Sequence, residues 1–185
     1  IADAIRHVDG IVSNFLEFSR RPSLKLQRVS LSSVLDATLQ LLENRLAVFP
    51  VSLSLRRNPS IPELYADPEQ LREALLNILL NACEAMDYSG NLRVEEMLSS
   101  TVEGALFACI RVQDSGPGIP DELLPDIFTP FVSTKEQGTG LGLPIAKSIL
   151  EEHGGDIQVQ TSPEIGTIFT LLLPVAPPEA VTVGR

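Results

Sequence analysis

Residues 114–143 read DSGPGIPDELLPDIFTPFVSTKEQGTGLGL, and the rest of the chain forms a frame around this stretch. Two glycine clusters lie near its ends: Gly116 with Gly118, and Gly138 with Gly140 and Gly142. Glycine allows positive φ and a close approach of a ligand to the main chain. The second cluster leads into an apolar, helix-like segment at 141–150, and amides at such a helix start suit an anion, most often a phosphate. A glycine-rich loop alone is a weak signal, so its meaning depends on the other residues that accompany it.

The composition is that of one domain of ordinary size with an appendage: 185 residues, of which 44% are hydrophobic and 21% charged. The net charge of −10 argues against nucleic acid or an anionic membrane as the main partner. The chain has no apolar run long enough to span a bilayer and no signal peptide. Because it begins at Ile1 rather than Met, we expect a cytoplasmic fragment whose full-length protein meets a membrane only through upstream segments. Cys83 and Cys109 are expected to be buried, reduced thiols.

The first residues predict a helix that stands apart from the remaining chain. Apolar side chains follow one another at steps of three and four residues, as in a coiled-coil seam: Ile1, Ala4, Val8, Ile11, Phe15 and Phe18. Pro22 ends this helix, because the residue before proline avoids the helical region. We therefore expect a helix over 1–22, a linker over 23–27, a globular domain over 28–175 and a flexible tail over 176–185.

Within the globular part the pattern predicts alternating helices and strands. The helices are expected from Ser32 or Ser33 to about Val48, from an Asp67 cap to about Met86, and from about Gly140 to His153. After a short extended lead-in at Val29, strands are expected near 51–56, 64–66, 93–98, 105–113, 156–161 and 167–173. Neighbouring strand pairs favour a largely antiparallel, mixed sheet with helices on one face, which is a two-layer α/β sandwich. A GxxxxGK[ST] loop is missing, so a doubly wound nucleotide fold is not indicated.

Several polar residues in apolar surroundings admit two interpretations each. Asn77 and Asn81 lie one helical turn apart and either tie down neighbouring backbone or offer oxygen ligands to Mg²⁺. Asp114 is either a turn residue that bonds its own backbone or an acceptor for an exocyclic amine such as that of adenine. Lys135 is either a solvated loop charge or a counterion for a terminal phosphate. The aromatic rings of Phe128 and Phe131 are expected to pack within the loop rather than to stack on a base.

Four segments together resemble the motifs of sensor histidine kinases and occur in that family's order. They are NILLNACEAM at 77–86, DSGPGI at 114–119, IFTPFVSTK at 127–135 and GTGLGL at 138–143. The segment EEHGGDIQVQTSPEIGTIFTLLLP at 151–174 resembles the family's closing helix and hairpin. The resemblance implies the Bergerat ATP-binding fold, which DNA gyrase, the ninety-kilodalton heat-shock chaperone and mismatch-repair clamps share.

The resemblance also implies a role for each matching position. Asn81 would be the Mg²⁺ ligand with Asn77 near the phosphates, Asp114 would accept from the adenine amine with help from Thr167, and residues 120–138 would form a mobile ATP lid. The implied catalytic residues are Lys135 and Asn77. The implied nucleotide-binding set is Asn77, Asn81, Asp114, Gly116, Gly118, Ile119, Lys135, Gly138, Thr139, Gly140, Leu141, Gly142, Leu143 and Thr167. Glu84 departs from the family, since many relatives carry a basic residue there, and this departure shifts the expected phosphate contacts toward Lys135.

Two features help to choose among the relatives of this superfamily. Members that hydrolyse ATP with water carry a glutamate base where Asn77 stands, and a neutral amide cannot abstract a proton from water. The family's acceptor histidine lies on the first helix of a dimeric hairpin, whereas His7 and His153 both lack its sequence context. We therefore expect residues 1–22 to be the second hairpin helix and the acceptor helix to be absent, so that the fragment binds ATP without phosphorylating itself.

The expected function is that of the ATP-binding catalytic domain of a two-component sensor histidine kinase. It would transfer the γ-phosphoryl group of ATP to a histidine on the hairpin of the same or a partner subunit, and onward to the receiver domain of a response regulator. The full-length protein would be a homodimer. The alternatives are a non-catalytic nucleotide-binding module and a serine kinase of the anti-sigma type, although the N-terminal helix counts against the latter.

Overall fold

A computed structural model describes residues 23–101, 104–133, 135 and 138–175, except for the side chains of residues 44 and 45. The helices are α1 (Leu31–Leu46), α2 (Pro68–Ala85) and α3 (Gly142–Glu152). The strands are β1 (Gln27–Val29), β2 (Val51–Arg56), β3 (Leu64–Ala66), β4 (Gly90–Ser100), β5 (Leu106–Gln113), β6 (Asp156–Ser162) and β7 (Gly166–Pro174), and a short 3-10 turn spans Leu124–Asp126. The predicted helix over 1–22 and the predicted tail over 176–185 lie outside the described residues.

The strands form one large mixed sheet and one small ladder. The five-stranded sheet has the order β2-β4-β5-β7-β6, in which β2 and β4 run parallel and every other neighbouring pair is antiparallel. The two short strands β1 and β3 pair separately, with Arg28 opposite Tyr65. This arrangement confirms the predicted mixed, largely antiparallel sheet.

The helices cover one face of the sheet, because the strands alternate between core and outer positions. In β5 the side chains of Ala108, Ile110 and Val112 enter the core, and in β7 Phe169 and Leu171 do the same. Helix α2 packs between α1 and α3 and buries an apolar stripe that includes Leu75, Ile78 and Leu79. Burying each such side chain contributes about 1.5–3 kcal/mol. The two-layer α/β sandwich predicted from the sequence is therefore confirmed.

Helix α1 begins two or three residues earlier than its sequence predicts. Its N-cap is Ser30, whose hydroxyl accepts from the N–H of Ser33, so the predicted cap at Ser32 or Ser33 is wrong. The hydroxyl of Ser32 instead donates to Glu96 at 2.9 Å. The buried stripe of α1 runs through Leu39 and Leu42 and leaves Leu41 exposed. Helix α1 also ends at Leu46 rather than near Val48.

Other boundaries shift for reasons of pairing and capping. Strand β4 extends over Gly90–Ser100, beyond the predicted 93–98, because β2 pairs with residues 90–95 and β5 pairs with residues 93–100. Helix α3 begins at Gly142 rather than near Gly140. The predicted cap Asp67 is confirmed, since its carboxylate accepts from the N–H groups of Glu69 and Gln70.

His153 has a structural role, because it joins α2 and α3. Its Nε2 accepts from the N–H of Asp67 at 3.0 Å, and its Nδ1 lies 2.7 Å from the carbonyl oxygen of Ile149. These partners require a neutral ring with the proton on Nδ1. The end of α3 is thereby fixed to the start of α2. Both cysteines, Cys83 and Cys109, are free and buried, as predicted.

A buried carboxylate on β4 links the sheet to α1 and to the segment that follows β2. The side chain of Glu96 is fully buried and accepts from Arg57 at 2.6 Å, from the N–H of Asn58 at 3.1 Å and from Ser32. Arg57 also contacts Asp36 on α1. A buried charge is stable only when it is paired and hydrogen-bonded in this way, so Arg57 is the counterion that this buried carboxylate requires.

We predict that Arg57→Ala lowers the free energy of unfolding by about 3 kcal/mol, because it leaves the Glu96 carboxylate buried without its counterion. Arg28→Ala is the matched control: Arg28 pairs with Glu63, both side chains are more than half exposed, and the change should cost at most about 0.5 kcal/mol. Urea unfolding measures both values. Equal effects of the two substitutions would contradict the importance of the Glu96 network.

Candidate functional site

A cavity of about 640 Å³ lies between α2, the glycine-rich stretch and the start of α3. This volume suits a nucleotide-sized ligand. The predicted site residues that line it are Asn77, Asn81, Gly118, Ile119, Lys135, Gly138, Thr139, Gly140, Leu141, Gly142, Leu143 and Thr167. Gly116 and Asp114 do not line it. The structure thus brings the motifs of three separate chain segments to one cavity.

Helix α2 supplies the polar wall of this cavity. Its inner stripe is apolar, whereas Asn77, Asn81 and Glu84 lie at spacings of four and three residues on the face that meets the cavity. Asn81 Oδ1 accepts from Lys135 Nζ at 3.3 Å. The same ammonium group pairs with Glu84 Oε2 at 2.7 Å. The wall therefore gathers amide and carboxylate oxygens around one lysine.

Asp114 occupies the other end of the site, where β5 leaves the sheet. It is 2% exposed, and its Oδ1 accepts from the N–H groups of Gly116 at 2.8 Å and Thr167 at 3.1 Å. In the described part of the chain its Oδ2 is buried and has no hydrogen-bond partner. The turn interpretation of Asp114 holds for one oxygen only. Since an unsatisfied buried acceptor costs about 1–3 kcal/mol, the second oxygen points to a ligand.

Two glycines allow close backbone contacts, one at each end of the site. Gly166 has φ of 75°, and a Cβ there would lie 2.2 Å from the carbonyl oxygen of Asp114. Gly140 has φ of 65°, and a Cβ there would lie 2.6 Å from the carbonyl carbon of Phe131. A larger residue at either position would push the hairpin away from Asp114 or the loop away from α3. Gly166 was not singled out from the sequence, although its place in the hairpin turn SPEIGT was a usable signal.

The start of α3 opens onto the cavity. Its N-cap, Leu141, provides no side-chain hydrogen bond, and Gly142 and Leu143 line the cavity directly. A Cβ on Gly142 would lie 3.5 Å from Asn77 Oδ1, so the helix start faces the asparagine wall. The N-terminal amides and the helix dipole together favour a negatively charged group here.

The loop between the glycine clusters covers the cavity with apolar side chains. Leu123, Ile127 and Val132 line it, whereas Phe128 and Phe131 do not. The ring of Phe128 instead lies 5.0 Å from Lys147 Nζ in a cation–π contact. Phe128 thus packs against the core and Lys147 of α3, and its expected packing within the loop stays a prediction. Residues 134, 136 and 137 of the predicted lid lie outside the described residues, and its mobility stays a prediction.

Two supporting residues of the site were not predicted. Thr161 Oγ1 accepts from the N–H of Ile119 at 2.9 Å and lies 3.2 Å from Thr167 Oγ1, so it fixes the first glycine loop to the closing hairpin. Met86 Sδ lies 3.3 Å from the N–H of Ser115 and fixes the same loop to the end of α2. Both contacts join residues far apart in the chain, so no local sequence pattern predicts them.

Comparison with known proteins agrees with this geometry. The sequence pattern of the family described as histidine kinase-, DNA gyrase B-, and HSP90-like ATPase matches residues 66–177, which is more than half of the chain. The chain belongs to this ATPase family. The match contains the α2 asparagines, Asp114, both glycine clusters and the hairpin that holds Thr167.

Individual relatives of this ATPase domain are sensor kinases. It is 40% identical over 167 residues to the sensor histidine kinase ZraS of Klebsiella oxytoca, covering 89% of this chain and 35% of that protein. It is 36% identical over 173 residues to the signal transduction histidine-protein kinase AtoS of Escherichia coli, covering 94% of this chain and 28% of that protein. The chain thus spans about a third of the length of these relatives.

Solved structures of the same family superimpose on the domain. The catalytic domain of the histidine kinase ThkA has a TM-score of 0.69 and 29% identity, covering 82% of this chain and 96% of that one. Full-length ShkA in complex with AMPPNP has a TM-score of 0.77 and 26% identity, covering 94% of this chain and 37% of that one. In the described part of this chain, no helix is both long and apolar enough to cross a membrane.

The two buried aspartates of this ATPase domain are predicted to affect stability with opposite pH dependence. Burial raises the pKa of Asp114, although the N–H groups of Thr167 and Gly116 oppose that rise. Its folded-state pKa lies above the unfolded-state value, so stability falls as pH rises from the unfolded-state to the folded-state pKa. Asp114→Asn has no carboxylate to titrate here, so it should not share the loss of stability that the wild type shows in this pH range. The free energy of unfolding of the variant minus that of the wild type should therefore rise across the range.

The pKa of Asp67 is shifted in the opposite direction from that of Asp114. Burial opposes its ionisation, but the N–H groups of Lys25, Gln70 and Glu69 outweigh burial and lower its pKa. The resulting stability is present above the unfolded-state pKa and is lost as pH falls through the lowered folded-state pKa. Asp67→Asn should therefore lose stability relative to the wild type as pH rises. Urea unfolding between about pH 3 and pH 7 measures both differences, and slopes of the same sign would contradict these assignments.

Proposed function

We propose that the chain binds ATP with Mg²⁺ in this cavity and transfers the γ-phosphoryl group to a histidine on a helical hairpin of the same or a partner subunit. The observation that carries the proposal is the buried Oδ2 of Asp114, which has no hydrogen-bond partner among the described residues. Asp114 lies beneath the cavity lining next to Thr167, while Asn81, Lys135 and the start of α3 line the cavity itself. The Asp114 side of the site offers an acceptor that has no donor, and the other side favours anions. A nucleoside triphosphate matches both, because its base can carry a donor amine and its phosphates are negatively charged.

At the base end, Asp114 Oδ2 accepts from the exocyclic amine of adenine, directly or through a water molecule. Asp114 lies beneath the lining, next to Thr167, whose N–H it binds. Thr167 and Gly118 both line the cavity. Ile119 provides the apolar contact that an aromatic base requires. Gly116 keeps the turn tight enough for its N–H to bind Asp114 Oδ1.

At the phosphate end, Lys135 and the amides over 138–143 bind the phosphate oxygens. The residues present fit Mg²⁺, because the wall of α2 offers oxygen donors, Asn81 Oδ1 foremost. Within the described ranges no three His, Cys, Asp or Glu side chains converge on one point, which suits an ion held by few protein groups and by the phosphates. When bound, Mg²⁺ neutralises charge on the β- and γ-phosphates.

Asn77 favours transfer to another protein group over hydrolysis. Its amide cannot take a proton from water, so the γ-phosphoryl group is held for a separate nucleophile. In an in-line reaction a new N–P bond forms to an imidazole nitrogen, the bond from phosphorus to the β,γ-bridging oxygen breaks, and ADP leaves. Lys135 offsets charge on the transferred group. Both ring nitrogens of His153 are engaged inside the fold, so this histidine is not the acceptor.

The proposed partners follow from the relatives, which are sensor histidine kinases. Residues 1–22 would form the second helix of the hairpin, and the linker 23–27 would join it to the catalytic domain. That domain would span 28–175 and be followed by a tail over 176–185. The full-length protein would be a homodimer that passes the phosphoryl group on to an aspartate of a response-regulator receiver domain.

Asn81→Ala is predicted to weaken binding of Mg·ATP by about tenfold or more, because it removes the amide oxygen proposed to hold the ion. The matched control is Asn91→Ala, an exposed residue outside the cavity lining, which should leave binding unchanged. Isothermal titration calorimetry with and without Mg²⁺ measures the effect. Unweakened binding by Asn81→Ala that still depends on Mg²⁺ would remove this residue from the metal site.

Transfer itself is tested by mixing the chain with γ-labelled ATP and a purified hairpin that carries the family's histidine. We expect acid-labile, base-stable phosphate on the hairpin, no stable label on His7 of the chain itself, and loss of transfer in Asp114→Asn. ATP binding without any label on the hairpin would favour the alternative of a nucleotide-binding module without transfer activity.

A further inference from the structure

Glu84 places a carboxylate where the proposed phosphate site requires positive charge. Its Oε2 lies 2.7 Å from Lys135 Nζ, and the same ammonium group donates to Asn81 Oδ1 at 3.3 Å. Asn81 and Glu84 are three residues apart on α2 and therefore share its cavity-facing side. Lys135 is thus held between a proposed metal ligand and an acidic side chain.

The charges around the cavity are unusual for a site that takes a polyanion. Among the described lining residues, the charged side chains are Glu73, Glu84 and Lys135, which sum to one net negative charge. Phosphate oxygens must compete with Glu84 for Lys135. If Lys135 turns to the phosphates, the Glu84 carboxylate stays beside them as a like charge, and like charges at such distances repel strongly in a partly desolvated site.

A divalent cation removes this conflict. Carboxylate and amide oxygens are the ligands that hard cations prefer, and Glu84 and Asn81 present both kinds on one face of α2. A cation between these oxygens and the phosphates lets Glu84 contribute attraction, directly or through a cation-bound water. Lys135 is then released to the phosphate oxygens.

Resting on the proposed function, we infer that Glu84 is a specificity-determining residue that restricts the site to the metal complex of the nucleotide. It competes for Lys135 and repels a triphosphate that arrives without a divalent cation. It stabilises the same triphosphate when the cation comes with it. A carboxylate at this place therefore makes the affinity for ATP depend on the cation more steeply than a neutral or basic residue does.

The test is the ratio of the dissociation constants for ATP measured in EDTA and in Mg²⁺, by calorimetry or by displacement of a fluorescent nucleotide. Glu84→Gln should tighten binding of metal-free ATP by about tenfold, leave binding of Mg·ATP unchanged or weaker, and so reduce the ratio. Glu84→Lys should reduce the ratio further. AMP, which lacks the β- and γ-phosphates, should bind the wild type and Glu84→Gln alike.

Glu122→Gln is the matched control, because Glu122 is an exposed acid of the neighbouring loop that does not line the cavity. It makes the same change of charge and should leave the ratio as in the wild type. Glu84 lies on an exposed helical position and glutamine is a good helix former, so the variant is expected to fold, which circular dichroism verifies.

The outcomes separate this inference from the proposed function. Wild-type protein that binds ATP neither in EDTA nor in Mg²⁺ would overturn both. Wild-type protein that binds Mg·ATP, together with a ratio unchanged in Glu84→Gln, would leave the proposed function standing and overturn the role of Glu84. An equal shift in Glu122→Gln would also overturn it, since the effect would then arise from net charge alone.

Discussion

The hydrogen bonds around Asp114 are the constraint on which the site depends. The backbone N–H of Asp114 donates to the carbonyl of Thr167 at 3.0 Å, while the N–H of Thr167 donates back to Asp114 Oδ1 at 3.1 Å. This reciprocal pair closes the ladder between β5 and β7 at the point where the chain turns into its glycine-rich loop. Gly116 binds the same oxygen and sets the direction of that turn. The register of β5 against β7 thus fixes the sheet, the loop and the position of the Asp114 carboxylate. The second oxygen of this buried carboxylate has no protein partner in the described residues.

The second constraint is that one helix forms part of both the core and the cavity wall. Helix α2 buries its apolar stripe against the sheet and its neighbours, and it presents its asparagines to the cavity. Packing of α2 against α3 then brings the start of α3 next to Asn77. The link from His153 to Asp67 fixes the far ends of the same two helices. The proposed phosphate end of the site is therefore positioned by a helix pair whose geometry the core maintains.

Much of this organisation is readable in the sequence because it rests on local chemistry. The Asp67-Pro68 start of α2, the strand at 51–56 and the glycine turn after α3 follow from local signals, and the structure has each of them, although the side chains of β2 are mostly exposed and do not alternate in burial. The parallel pairing of β2 with β4 depends on contacts between distant segments, as does the pairing of Glu84 with Lys135. The cap of α1 was mistaken because Ser30, Ser32 and Ser33 are chemically alike, and only the position of Glu96 assigns Ser32 to another partner. Whether Asp114 lies in the lining or beneath it depends on burial, which spacing does not encode.

The central claim is that Asp114 recognises the exocyclic amine of adenine. It is tested most directly by comparing ATP with purine riboside triphosphate, which differs only in lacking the 6-amino group, in equilibrium binding to the wild-type chain with Mg²⁺ present. The account predicts that the analogue binds about a hundredfold more weakly, because its base offers Asp114 Oδ2 no donor. Equal affinities for the two nucleotides would contradict it.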